Sequence, residues 1–183
     1  MQLPGLPHSL TSFDPPLLVA PTCRLYYSPI TSQSPIGHCM AVARNSTSPE
    51  AAVVASTCNG ASSQRFALAF GGVLLGEQSQ LCLAVAAGGA RISGALVVQA
   101  RCGKASLTLE YRLPPASSHW AGGGQLRLLQ DGPALCLEAP GISSSTQLRL
   151  ANCAAARTQL WAGRSLGTSN HVQSMAPPSS SAR

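Results

Sequence analysis

Apolar and polar residues along the middle of the chain form short runs that recur at regular intervals. Each recurrence opens with a cysteine flanked mainly by apolar residues, in segments 38–41, 81–84 and 135–138. A branched apolar residue stands later in each recurrence, at Val53, Val97 and Leu148. Polar and apolar residues alternate around Leu148, which is the period of a half-buried strand. The pattern predicts short β-strands joined by turns, and the 17 glycines and 14 prolines agree with it.

The cysteines show that these recurrences are an internal repeat. Six of the seven form three pairs with separations of 19, 20 and 17 residues: Cys39 with Cys58, Cys82 with Cys102, and Cys136 with Cys153. Three units of about 40 residues are therefore predicted, and each is too small to bury its own apolar face. Closure of the three around one core, about a threefold axis, removes exposed strand edges.

A glutamine and, two residues later, an aromatic side chain follow the second cysteine of the first and third repeats. The two examples are Gln64 with Phe66, and Gln159 with Trp161. In the middle repeat, counting back from the next cysteine makes Trp120 the counterpart of Phe66. Trp120 lies further from Cys102 than that rule allows, which predicts an insert at about 107–116 that forms a small extra strand.

The same spacing predicts the limits of the folded unit. It extends from Cys23 to residue 168, with repeats at about 23–66, 67–120 and 121–168. The flanking segments 1–22 and 169–183 are rich in proline and serine without a hydrophobic period, so they are expected to be linkers or disordered. Cys23 is the odd cysteine, free or able to bond to another chain or domain.

Composition and charge narrow the classes of function. Hydrophobic residues make up 45% of the chain and aromatic residues only 4%, so alanine, valine and leucine must form the core. The net charge of +6 comes from scattered arginines without a basic run, which argues against nucleic acid as a partner. No stretch is apolar and long enough for membrane insertion.

The predicted compartment is extracellular or the lumen of the secretory pathway. Paired cysteines indicate an oxidising environment, and the triplet that starts at Asn45 is a glycosylation acceptor. A signal peptide is not evident, so we expect either that the true N-terminus is missing or that the chain is part of a longer secreted protein. The histidines and acidic residues are dispersed, without metal-ligand spacing, and the prediction is a protein without enzyme activity, metal or cofactor.

These features together resemble the ricin-type β-trefoil lectins over roughly residues 23–168. The shared motifs are the cysteine followed by an apolar residue, the second cysteine, and the Gln-x-Trp ending. The resemblance implies an all-β fold, a β-trefoil with an approximate threefold axis. It also implies that the aromatic residues of the endings pack in the shared core: Phe66, Trp120 and Trp161.

The positions that bind sugar in this family are mostly replaced here. The family has an aspartate two residues after the first cysteine, where this chain has Ala41, Ala84 and Glu138. Ser56, Ala100 and Ala151 stand where the resemblance implies an aromatic platform. Only the third repeat retains an acidic group, and its candidate sugar-binding residues are Glu138, Arg149, Asn152 and Gln159.

Two functional hypotheses follow. The first is a carbohydrate-binding module of altered or weakened specificity, with glycans or glycoproteins as partners and Tyr111 either an improvised platform or a structural residue. The second is a structural or protein-interaction trefoil that has lost sugar binding, with Cys23 as one means of attachment.

Overall fold

The structure is a computed structural model that describes residues 25–34, 37–69, 71–103, 105–113, 123–141, 145–154, 156–164 and 166. Cys23, Trp120 and both predicted terminal segments lie outside these residues, so what was expected of them stays a prediction. Within the described residues the chain forms fourteen β-strands, four 3₁₀ helices and no α-helix. The all-β prediction is confirmed.

The strands are short and follow one another through turns. They are β1 (Ser28–Pro29), β2 (Thr31–Ser32), β3 (Cys39–Val42), β4 (Val53–Ser56), β5 (Arg65–Leu68), β6 (Leu74–Gly76), β7 (Cys82–Val85), β8 (Val97–Ala100), β9 (Leu109–Arg112), β10 (Gly124–Leu128), β11 (Leu135–Glu138), β12 (Thr146–Gln147), β13 (Arg149–Asn152) and β14 (Leu160–Ala162). The 3₁₀ helices are Ala43–Asn45, Ser62–Gln64, Ala86–Gly88 and Arg157–Gln159.

Antiparallel pairing arranges half of these strands in a closed ring. β1 pairs with β5 and β5 with β6, while β9 pairs with β10, β10 with β14 and β14 with β2. An isolated bridge between Val73 and Thr108 joins the two halves beside β6 and β9. Because β1 and β2 are neighbours in the chain, the pairing closes a barrel, which leaves few free strand edges.

Three hairpins meet beside this barrel, one from each repeat: β3 with β4, β7 with β8 and β11 with β13. The hairpins are joined by backbone hydrogen bonds between the branched apolar residues identified in the sequence. The backbone N–H of Leu148 donates to the carbonyl oxygen of Val53 at 2.8 Å, and that of Val97 donates to Leu148 at 2.9 Å. All three side chains are fully buried. A barrel capped by three equivalent hairpins is a β-trefoil, as the family resemblance implied.

The cysteine pairs are disulfides that fasten the hairpins. The bonds are Cys39–Cys58, Cys82–Cys102 and Cys136–Cys153. Each closes a loop of about twenty residues and contributes on the order of 3 kcal/mol in the loop-entropy model. This contribution supplements a core in which Phe66 and Trp161 are the large aromatic members and aliphatic side chains supply most of the rest.

The middle repeat corrects one sequence prediction. Leu109 of β9 pairs with Leu128 of β10, and Phe66 of β5 pairs with Gly76 of β6. Leu128 and Gly76 are equivalent, because each directly follows the residue that pairs with the first cysteine of its repeat. Leu109 is therefore the structural counterpart of Phe66. Leu107 and Leu109 are buried in the core.

Residues 107–112 are therefore an integral part of the barrel, and their interpretation as an added strand is wrong. The sequence count assumed a turn of constant length between the last strand of one repeat and the first strand of the next. In the sequence, positions 113–123 separate β9 from β10, whereas only 69–73 separate β5 from β6. The extra length therefore lies between β9 and β10, where 114–122 are outside the described residues.

Candidate functional site

The register of the hairpins places the predicted sugar-binding positions at equivalent points of the three repeats. Ala41 pairs with Val54 in the first repeat, and Ala84 pairs with Val98 in the second. In the third repeat the corresponding pair is Glu138 with Arg149. A carboxylate is thus present at one of three geometrically equivalent places, and an oppositely charged side chain stands directly across from it.

Polar side chains converge on the Glu138 carboxylate. The Nε of Arg149 donates to its Oε2 at 2.7 Å. The hydroxyl of Thr158 donates to the other oxygen, Oε1, at 3.3 Å, and the Nε2 of Gln159 approaches the same atom at 3.5 Å. The side chain of Glu138 is 12% exposed and that of Arg149 is 44% exposed, so the cluster faces the surface. The arrangement presents hydrogen-bonding groups of both kinds to a polar ligand.

Gln159 also has a structural task. Its Oε1 accepts from the backbone N–H of Ala154 at 2.8 Å, and its Nε2 donates to the carbonyl oxygen of Asn152 at 3.0 Å. Gln64 makes the equivalent pair of bonds around the first-repeat disulfide. Gln159 is 2% exposed. The glutamine of the Gln-x-aromatic ending therefore forms hydrogen bonds with the backbone on both sides of the second cysteine. In the third repeat it also positions Glu138.

The structure thus brings together three of the four predicted residues through their side chains. Asn152 ends β13 and is exposed, and in the described contacts it takes part through its backbone. Thr158 belongs to the cluster but was not among the predicted sugar-binding residues. The signal for it was available, because it directly precedes the glutamine, where the family resemblance implies an asparagine.

The first repeat carries a polar cleft of about 600 Å³ at the position equivalent to the Glu138 cluster. Its lining includes Ala41, Asn45, Ser56 and Ser63, and none of the described residues that line it is acidic. The Ser63 hydroxyl donates to Oδ1 of Asn45 at 2.6 Å. Asn45 is exposed, which suits its predicted role as a glycosylation acceptor, and that role stays a prediction.

A second cleft has a volume of about 790 Å³, and most of the side chains that line it have no role predicted from the sequence. We call it the tyrosine cleft, and its lining includes Tyr26, Tyr27, Arg65, Tyr111 and Arg164. The chain around Tyr26 precedes β1, whereas Arg164 follows β14. No local sequence pattern predicts this cleft, because the residues that line it become neighbours only when the ring of strands closes.

Tyr111 is a fixed wall of this cleft. Its hydroxyl donates to the carbonyl oxygen of Trp161 at 3.0 Å. Burial raises the pKa of this hydroxyl above its ordinary value, and a backbone hydrogen bond at Gly124 partly offsets the rise. A Cβ atom on Gly124 would lie 2.8 Å from the Tyr111 ring, so glycine is what leaves room for it. The structural role considered for Tyr111 is present, and the ring still borders open space.

The described part of the chain contains no group of three or more histidine, cysteine or acidic side chains arranged to hold a metal ion. Nor does it contain a helix of the length and apolarity needed to span a membrane.

Comparison with known proteins finds similar solved structures. No family model and no curated protein matches the chain. Among solved structures, a designed threefold-symmetric protein, ThreeFoil, is 19% identical with a TM-score of 0.61, over 75% of this chain and 96% of its own. The agglutinin of Rhizoctonia solani is 15% identical with a TM-score of 0.63, over 76% and 94%. The ricin B-like lectin of Macrolepiota procera, in complex with lactose, is 12% identical with a TM-score of 0.62, over 75% and 94%.

Identities this low establish the fold alone, and they agree with the barrel, the three hairpins and the equivalent positions described above. The chain has the β-trefoil fold of the ricin B-like, R-type lectins.

Proposed function

We propose that this lectin-like trefoil is a carbohydrate-binding module whose sugar site is the Glu138 cluster of the third repeat. The observation that carries the proposal is the convergence of Arg149, Thr158 and Gln159 on a carboxylate. That carboxylate occupies the position at which the resemblance implies a sugar-binding acid. A cluster that contains both donors and acceptors can grip neighbouring hydroxyl groups, which is what fixes a sugar in a shallow site.

The details of the site support a specificity different from that of typical lectins of this fold. Glutamate is longer than aspartate by one methylene, which moves the carboxylate outward. Ala151, which pairs with Cys136, provides no ring on which a sugar could stack. Binding must then rest on hydrogen bonds, so we propose weakened affinity for neutral galactose-type sugars.

A glycan array tests the proposal with the variant Glu138→Gln. The substitution keeps the shape but removes the charge, so charge-assisted hydrogen bonds worth about 1.5–3 kcal/mol are weakened. We expect the affinity for any bound glycan to fall by about tenfold or more.

The matched control is Glu110→Gln. Glu110 also accepts from an arginine, Arg112, at 2.7 Å, but on β9, outside the Glu138 cluster. The control should bind like the original chain. Equal binding by the Glu138 and Glu110 variants would reject the assigned site, and an array without any bound glycan would reject the function.

We further propose that the module works outside the cytoplasm, as part of a larger secreted protein. Three disulfides are consistent with an extracellular or secretory setting, because they persist in oxidising compartments. Attachment to another chain through Cys23 would show as a larger species on a non-reducing gel. The bond would be absent if only monomer is seen.

The second candidate is a trefoil that binds protein and not sugar. One observation favours it: both oxygens of Glu138 already accept hydrogen bonds from the protein itself. The two positions equivalent to Glu138 hold alanine and so provide no carboxylate for a sugar, which also favours this candidate. A blank glycan array together with retained folding would decide for this candidate.

A further inference from the structure

We propose that the tyrosine cleft binds an acidic saccharide, one that bears a carboxylate or a sulfate, at a site separate from the Glu138 cluster. The inference starts from where the aromatic side chains are. The chain has only three tyrosines, and all three line this one cleft: Tyr26, Tyr27 and Tyr111. In a chain with 4% aromatic residues such a concentration marks a surface with a distinct task.

The rings of the cleft are held in place but remain accessible. Tyr27 donates from its hydroxyl to Oε1 of Gln80 at 3.3 Å, and Tyr111 is held by the carbonyl oxygen of Trp161. Tyr26 is 53% exposed at the rim. Tyrosine rings offer an apolar face at a low cost in side-chain entropy, and the C–H face of a sugar ring stacks on such a face.

The charge of the cleft selects the kind of sugar. Arg65 and Arg164 line it, and its described lining includes no acidic side chain. Arg65 pairs through Nε with Glu77 at 2.5 Å, so its charge is already balanced, and the attraction for an anion rests mainly on Arg164, which is exposed. Guanidinium groups present parallel N–H donors that match the oxygens of a carboxylate or sulfate. The chain's net charge of +6 adds long-range attraction for an anion.

The tyrosine cleft also supplies what the repeats lack. The platform positions of the three hairpins hold Ser56, Ala100 and Ala151, so none offers an aromatic face. A saccharide with a charged substituent matches both properties of the cleft, because it has an apolar ring face and an oxyanion on one small unit. The inference uses none of the residues of the Glu138 cluster, so it stands or falls independently of the function proposed above.

Titration calorimetry with defined saccharides tests the inference on the full chain. The probes are a heparin-derived sulfated tetrasaccharide, tetragalacturonic acid and, as the uncharged comparison, lactose. We expect one or both acidic probes to bind at the cleft, which identifies sulfate or carboxylate as the anion recognised. Tyr26→Ala should weaken that binding by about tenfold and Tyr26→Phe should not, because stacking depends on the ring.

Charge is tested with Arg164→Gln, for which Arg101→Gln is the matched control. Both arginines are exposed, but Arg101 does not line the cleft. Arg164→Gln should weaken binding by about tenfold, with a smaller effect of salt, and Arg101→Gln should leave it unchanged. Glu138→Gln should also leave acidic binding unchanged.

Three results would overturn the inference: neither acidic probe binds, Tyr26→Ala binds as well as the original chain, or the two arginine variants lose affinity equally. The last result would mean diffuse attraction to a basic surface rather than a site.

Discussion

Truncation of Trp161 to alanine is expected to lower the free energy of unfolding by about 3–5 kcal/mol. The side chain is fully buried in the core that the three repeats share. Its Nε1–H donates to the carbonyl oxygen of Leu137 at 2.9 Å, so truncation leaves a cavity and also removes the partner of a backbone acceptor on β11.

Urea denaturation measures this loss, and two further variants separate its causes. Trp161→Phe keeps a ring in the cavity but removes the hydrogen bond, so its loss should be smaller than that of alanine. Leu129→Ala changes a side chain that is 49% exposed and should stay within about 0.5 kcal/mol of the original chain. A loss for Trp161→Ala as small as that of Leu129→Ala would contradict the buried position.

The second large effect is expected at Leu109, the residue that holds the place of Phe66 in the middle repeat. Leu109→Ala should cost about 2–5 kcal/mol, because a fully packed aliphatic side chain leaves a cavity in the barrel. Leu109 is 1% exposed and pairs with Leu128 of β10. If 107–116 were an added strand outside the barrel, the same substitution would have little effect.

The matched control is Leu113→Ala, only four positions along the chain. Leu113 is 72% exposed, so its truncation should change the unfolding free energy by no more than about 0.5 kcal/mol. A large difference between the two variants in the denaturation midpoint confirms the register of β9. Equal, small losses would restore the insert interpretation based on sequence spacing.

Much of the fold could be read from spacing because disulfides and hairpins are local. The two cysteines of each pair lie on one hairpin and its following loop, so their separation changes little from repeat to repeat. The buried residues Val53, Val97 and Leu148 could be found in the same way, since each stands at a constant distance before its cysteine. Three equivalent units then leave a closed, threefold arrangement as the way to bury all three faces.

The middle repeat shows where such reading fails. The distance to the next cysteine matches Trp120 to Phe66, but that distance includes the connection between two repeats. A connection between strands can lengthen at little cost in free energy, so its length carries no information about the strands on either side. Pairing identifies the equivalent residue, since hydrogen bonds and side-chain burial are specific to one register.

In the candidate site, too, some features could be predicted from the sequence and others depend on tertiary packing. Glu138 could be predicted because the family resemblance implies an acidic residue at a fixed distance from Cys136. Its contact with Arg149 follows from the hairpin register, which is nearly local. The sequence marks the position of Thr158 before the glutamine, but its contact with Glu138 depends on the packing of a later segment against β11.

By itself, the sequence determined the repeats, the disulfide pairs, the all-β class and the one acidic residue among the positions proposed to bind sugar. These features depend on separations within a single hairpin. The tertiary structure decided which strand closes the barrel in the middle repeat, and it assembled the tyrosine cleft from segments at opposite ends of the folded unit. The physical reason is that ring closure pairs β14 with β2. That contact joins residues far apart in the chain, and no local period or spacing records which side chains it will bring together.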